Sequence, residues 1–133
     1  MTSPASRLRV GTDLVDTRRI AESIATFGER YLKRVFTEAE IAYANAAPAM
    51  TTQRLAARFA AKEATVKALD LAEAGVPYRD IEVVRTASGS PALVLHGRAR
   101  EASEAAGSPT LEVSLSHEGD YATAVVLSLR EPS

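Results

Sequence analysis

Between Thr17 and Gly28 the apolar residues Ile20, Ile24 and Phe27 recur at spacings of four and three, the repeat that lines one face of an α-helix. Thr17 is placed to cap that helix and Gly28 to end it. Ahead of it, Leu8 to Val15 mixes β-branched and apolar residues with Gly11 and Asp13. This predicts a short strand that runs into a turn and leaves Asp13 near its end. Arg18 and Arg19 fall on the first turn of the helix that follows.

Glu29 to Val35 fits another short helical segment. Thr37 followed by Glu40 then reads as a capping box, opening a helix that runs to about Asn45 and is closed by Pro48. Gln53 to Leu69 contains no Gly or Pro and is rich in Ala, Leu, Lys, Arg and Glu, the residues that lose least on entering a helix. On this helix Leu55, Phe59, Val66 and Leu69 form an apolar stripe, beside a stripe of Ala56, Ala60, Glu63 and Lys67.

Beyond the break at Gly75-Val76-Pro77, Ile81 to Val84 and Ala92 to Leu95 read as a hairpin around Ser88-Gly89-Ser90, and Gly97 to Ala106 as a short helix. Leu111 to Ser116 and Tyr121 to Leu129 complete the set as two strands joined by His117-Glu118-Gly119-Asp120. Helices mixed with hairpins in this order indicate the α+β class, a small sheet covered on one face by helices.

A chain of 133 residues fits one domain, residues 1–133, with an ordered core at about 8–130 and loose ends at Met1 to Ser6 and Glu131 to Ser133. Its 46% hydrophobic and 25% charged composition is that of a folded globular protein. A formal net charge of −1 speaks against nucleic-acid binding through bulk charge. Without Cys there is no disulfide frame or thiolate metal site. No apolar run approaches membrane-spanning length, so a soluble cytoplasmic protein with no membrane partner is expected.

Three places carry polar residues that the pattern does not require. Asp13 stands at a strand end, where Asp most often forms turns or caps helices. Glu63 and Lys67 lie one turn apart on the long helix, a pairing common on solvated faces and worth only about 0.2–0.5 kcal/mol. The small alanines beside them would let the helix approach a strand and bring Glu63 towards Asp13. Two carboxylates meeting there suit Mg²⁺, which takes oxygen ligands and shares them with phosphates and water. Ser116 and His117 end an alternating strand and can together donate hydrogen bonds to a phosphate. Walker-type, GxGxxG and GxSxG loops are absent from the sequence.

Taken in order, Val10-Gly11-Thr12-Asp13-Leu14-Val15-Asp16 with Arg19-Ile20, Arg58-Phe59-Ala60-Ala61-Lys62-Glu63-Ala64 with Lys67-Ala68, and Val113-Ser114-Leu115-Ser116-His117 resemble the signature blocks of holo-acyl-carrier-protein synthases, the small phosphopantetheinyl transferases. Phe36-Thr37-Glu38-Ala39-Glu40 and Gly89-Ser90-Pro91 resemble further family segments. Thr12 stands where an aliphatic residue is usual and Asp16 where Glu is usual. The resemblance implies a long helix on a curved antiparallel sheet, a homotrimer, and coenzyme A in the clefts between subunits. It implies Asp13 and Glu63 as Mg²⁺ ligands, Glu63 and Lys67 as catalytic residues, and Lys67, Ser116, His117, Gly89 and Pro91 around coenzyme A.

The implied reaction moves 4′-phosphopantetheine from coenzyme A to a serine of an acyl carrier protein, releasing adenosine 3′,5′-bisphosphate. The acceptor of the serine proton stays open among Glu63, a bound water and neutral Lys67. Carrier proteins of this kind are acidic, which makes Arg18, Arg19 and Arg58, with Arg54 beside them, the candidates for docking. A module that binds coenzyme A or a carrier without transfer is the competing class.

Overall fold

The computed structural model describes residues 7–132; the loose ends expected at Met1 to Ser6 and at Ser133 lie outside the described residues. Strand β1, Leu8–Asp16, leads into α1, Thr17–Phe27, α2, Glu29–Val35, and α3, Glu38–Asn45. A 3₁₀ turn at Pro48–Met50 precedes α4, Thr51–Ala68. After a second 3₁₀ turn at Tyr78–Asp80 come β2, Ile81–Arg85, β3, Pro91–Leu95, α5, Gly97–Ala105, β4, Thr110–Glu118, and β5, Tyr121–Leu129. The strands form a three-stranded antiparallel sheet in the order β1-β5-β4 and a separate β2-β3 hairpin. This is the expected α+β architecture, with its sheet in two parts.

Capping follows the sequence at α3, where the Thr37 side chain and the Glu40 carboxylate each bond the other's backbone N–H. At α1 the cap is Asp16, one residue before the expected Thr17; its carboxylate accepts the Arg18 N–H, while the Thr17 N–H donates to the Asp120 carbonyl at 2.7 Å. The β4-β5 loop is shorter than the four-residue turn read from the sequence. Glu118 pairs with Tyr121, so only Gly119 and Asp120 turn the chain, and Gly119 takes φ +57°. A Gly in that conformation at the first loop position is what a tight two-residue hairpin favours.

The long helix packs differently from the expected apolar stripe. Ala56, Ala60, Ala61, Ala64 and Ala68 are fully buried, whereas Phe59 and Val66 are only partly so. On the sheet, Gly11, Ala122, Ala124 and Val126 face α4, and the larger Leu8, Val10, Leu14, Val125, Leu127 and Leu129 lie exposed on the opposite face. Small residues on both sides allow close approach. A Cβ on Gly11 would sit 2.0 Å from the Ala64 carbonyl oxygen, a distance no side chain survives.

Candidate functional site

The site begins with strand alternation. Gly11, Asp13 and Val15 share the face of β1 that meets α4, so Asp13 is a carboxylate turned inward between two buried neighbours. From the last turn of α4, the Lys67 ammonium donates to the Thr12 carbonyl at 2.9 Å and to Asp13 Oδ1 at 3.2 Å. Lys67 therefore reaches across to the strand instead of pairing with Glu63 on its own helix. That distinguishes it from an ordinary surface pair.

Glu63 lines a cleft of about 370 Å³ together with Asp13, Arg19, Tyr31 and Phe59. Glu63 Oε1 accepts a 2.5 Å hydrogen bond from the Tyr78 hydroxyl. Burial, then the bond to the Glu63 carboxylate, push the Tyr78 hydroxyl up to about 12. The cleft thus gathers the carboxylates of Asp13, Asp16 and Glu63 and the Arg19 cation, with the Lys67 ammonium on Asp13 and the Tyr78 hydroxyl on Glu63. Oxygen donors of this kind suit a hard cation. Among the described residues no group of three or more His, Cys, Asp or Glu that could hold a metal ion gathers; a cation held by Asp13 and Glu63 would take the rest of its shell from substrate oxygens and water.

Arg19 lines this cleft. Arg18 is exposed, but its guanidinium forks onto Asp16, with Nε at 2.9 Å from Oδ1 and Nη2 at 2.8 Å from Oδ2, and lies 3.8 Å from Asp120. The paired guanidinium holds the Asp16 carboxyl below its ordinary range. Arg58 departs from the expectation of a docking residue: it is only 4% exposed, and burial pushes its guanidinium down. A charge so enclosed offers little to an incoming acidic partner.

Arg58 instead belongs to a second cavity of about 560 Å³, shared with Tyr43, Arg54, Arg85, Pro91 and His117. The guanidiniums of Arg54, Arg58 and Arg85 lie 4.1, 4.2 and 5.1 Å from the centre of the Tyr43 ring, an arrangement stabilised by cation–π attraction. Three cations at one ring make a strongly anion-attracting wall. Of the residues expected around coenzyme A, Pro91 and His117 line it. Gly89, at φ +86°, shapes the adjoining β2-β3 turn through its N–H bond to the Thr86 carbonyl at 2.8 Å. Ser116 and His117 are consecutive strand residues, paired with Thr123 and Ala122, and so point to opposite faces. Within one chain the two side chains therefore leave the strand on different sides.

Sequence reasoning missed Tyr78, Tyr43 and Arg85, and it missed the buried Lys62. The first three lie outside the resembling blocks, and only the break at Gly75-Val76-Pro77 hinted that a new segment begins near Tyr78. Lys62 Nζ bonds Glu40 Oε1 at 2.8 Å and the carbonyls of Tyr78 at 3.1 Å and Ile81 at 2.5 Å.

Residues 9–126 match the model of the 4′-phosphopantetheinyl transferase superfamily. The holo-[acyl-carrier-protein] synthase of Gloeobacter violaceus is 48% identical over 118 residues, 89% of each chain. The solved ACPS–CoA complex of Chronobacterium ammoniagenes is 35% identical with a TM-score of 0.81, covering 94% of this chain and 98% of its own. The Helicobacter pylori holo-[acyl-carrier-protein] synthase, in complex with coenzyme A, is 26% identical with a TM-score of 0.77, covering 90% and 98%. With this extent of match on the three blocks and on the fold they build, the chain belongs to the holo-[acyl-carrier-protein] synthases of the 4′-phosphopantetheinyl transferase superfamily.

Proposed function

We propose that residues 8–130 act as one transferase domain that moves 4′-phosphopantetheine from coenzyme A to a serine of an apo-acyl carrier protein, releasing adenosine 3′,5′-bisphosphate. The observation that carries this reading is the meeting of Asp13 from β1 with Lys67 from α4, in contact at 3.2 Å, beside Glu63 in the same cleft. In the reaction the serine Oγ forms a bond to the β-phosphorus as the bond from that phosphorus to the bridging oxygen breaks. The serine proton passes to a base. Charge grows on the bridging oxygen, and the cost of leaving it uncompensated is what the protein must remove.

Asp13 and Glu63 would hold Mg²⁺, which when bound supplies Lewis-acid neutralisation of the diphosphate. Lys67 is exposed enough to reach substrate and already shares Asp13, so its ammonium is placed to offset phosphate charge. Arg54 and Arg85, with the buried Arg58 behind them, offer a second basic surface for anionic groups of coenzyme A, with Pro91 and His117 at its edge. Arg19 at the mouth of the Asp13–Glu63 cleft, with Arg18, is the proposed contact for an acidic carrier, chiefly raising the encounter rate.

Two observations support a homotrimer in which neighbours complete each site. The Asp13–Glu63 cleft and the His117–Pro91 cavity share no lining residue within one chain, an arrangement in which a neighbouring subunit could bring the two sets to one coenzyme A. The outer face of the three-stranded sheet also carries exposed Leu8, Val10, Leu14, Val125, Leu127 and Leu129, a patch of the kind that marks subunit contacts. No helix among the described residues is long and apolar enough to cross a membrane, in keeping with a proposed cytoplasmic location.

The test is to incubate the protein with apo-acyl carrier protein, coenzyme A and Mg²⁺, with a chelated control, and to record the carrier's intact mass. A gain of one phosphopantetheine that disappears on chelation is expected. Glu63→Gln should lower turnover by about 100-fold or more, the scale of losing one charge-stabilising group. Near-normal turnover of that variant at saturating Mg²⁺ removes Glu63 from the metal site. No mass gain from the folded protein with several apo carriers favours a binding module over a transferase.

A further inference from the structure

Tyr78 reaches Glu63, at the edge of the cleft, from the 3₁₀ turn before β2, outside every block that marks the family in the sequence. The residue is fixed at three points, two on its side chain and one on its backbone. The hydroxyl donates to Glu63 Oε1 at 2.5 Å, the ring lies tilted on Phe59 with centres 5.5 Å apart, and the residue's own carbonyl accepts from Lys62 Nζ at 3.1 Å. Lys62 is itself immobilised by Glu40 at 2.8 Å and the Ile81 carbonyl. Glu40 is held in turn by the N–H groups of Thr37 at 2.8 Å and Val83 at 2.9 Å.

A glutamate on a helix has rotamer freedom that must be lost before its carboxylate serves as a ligand. Here the freedom is already removed, because the hydroxyl that meets Oε1 stands on a turn bolted to the helix through Lys62. We infer that Tyr78 is a positioning residue for Glu63: its hydroxyl occupies Oε1 and leaves Oε2 to face the cation and diphosphate. A ligating carboxylate held by an outer hydrogen-bond donor binds its ion better than a free one, and losing the donor commonly costs 10–100-fold in affinity. This rests on the reading of Glu63 as a cation ligand, and the experiment separates the two.

Mn²⁺ is titrated into the full-length protein with coenzyme A present, and the free ion is followed by electron paramagnetic resonance, for the parent protein, Tyr78→Phe, Tyr78→Leu and Glu63→Gln. Tyr78→Phe keeps the ring on Phe59 and removes only the hydroxyl. It should weaken Mn²⁺ binding by about tenfold, raise the Mg²⁺ concentration for half-maximal turnover to match, and restore most of kcat at saturating Mg²⁺, with an unchanged melting temperature. Tyr78→Leu should share the Mn²⁺ defect and also lower the melting temperature. Wild-type Mn²⁺ affinity in Tyr78→Phe, while Glu63→Gln has lost it, overturns the positioning role and leaves Glu63 a ligand. Wild-type affinity in Glu63→Gln overturns both.

Discussion

Lys62 is completely buried, and its ammonium meets a Glu40 carboxylate that is equally enclosed. Burial lowers the lysine's proton affinity, and the Glu40 charge and hydrogen bond offset only part of that; the pair is held because each group has its partner and both have further hydrogen bonds. Through the carbonyls of Tyr78 and Ile81 and the N–H of Val83, the pair ties α3, α4, the 3₁₀ turn and the start of β2 together. Removing one member leaves the other charged and unpaired in the core, which commonly costs about 3–5 kcal/mol. Lys62→Met should therefore lower the unfolding free energy by about that amount in urea denaturation, and Lys62→Met combined with Glu40→Leu should recover much of it. If Lys62→Met is as stable as the parent, the pair is not what holds the turn. Lys67, five positions on, is half-exposed and pairs with Asp13 at the cleft; little more than one turn of helix separates a lysine enclosed in the core from one that faces the cleft. The sequence carries no mark of this difference, because a Lys on an alanine-rich helix reads the same whether its face meets solvent or another element.

At the scale of elements the contact between β1 and α4 decides the site's geometry. Gly11 stands against the backbone of Ala64 and Ala68 at distances a Cβ cannot occupy, and Asp13 lies two residues further along the same inward face. The strand's approach to the helix therefore fixes how far Asp13 sits from Glu63 and Lys67. Gly11→Ala pushes a methyl into main-chain atoms that have no rotamer to yield. It should cost at least about 3 kcal/mol, the upper part of the usual overpacking range, with transfer activity falling further than the loss of folded protein accounts for. Denaturant midpoints and turnover per folded molecule check this; wild-type values for both would mean that the strand is free to shift. The elements themselves were legible. Helix period, the Thr37–Glu40 capping box and strand alternation placed nearly every one, since those signals are local. The packing faces were not legible, because hydrophobicity ranks Leu, Val and Phe as the inside residues, and here Ala and Gly, with Val15 and Val126, hold the inner layer while most of the large aliphatics of β1 and β5 stand outside.

That inversion sets the problem for the whole molecule. Val10 on β1 pairs with Leu127 on β5, and both side chains stand on the sheet's outer face with 58% and 43% of their surface exposed. A contiguous apolar face of this kind is poorly tolerated by a protein that remains a monomer. In the proposed assembly, subunits joined over that sheet would bring His117 and Pro91 of one chain towards Asp13 and Glu63 of another, two groups that line separate cavities within one chain. Sequence blocks marked both halves but could not show that they line separate cavities, since spacing along a chain says nothing about which cleft a side chain enters. Leu127→Asp places a charge at the centre of the face while leaving the inward residues Val126 and Ser128 untouched. Light scattering should find the parent at three times its 14.2 kDa chain mass and the variant at a single chain, with the helical circular dichroism preserved. Transfer by the dissociated variant should be abolished if neighbouring chains each supply part of the groups around coenzyme A. A variant that stays trimeric places the interface elsewhere, and a folded monomer with full transfer activity means that one chain assembles the whole site alone.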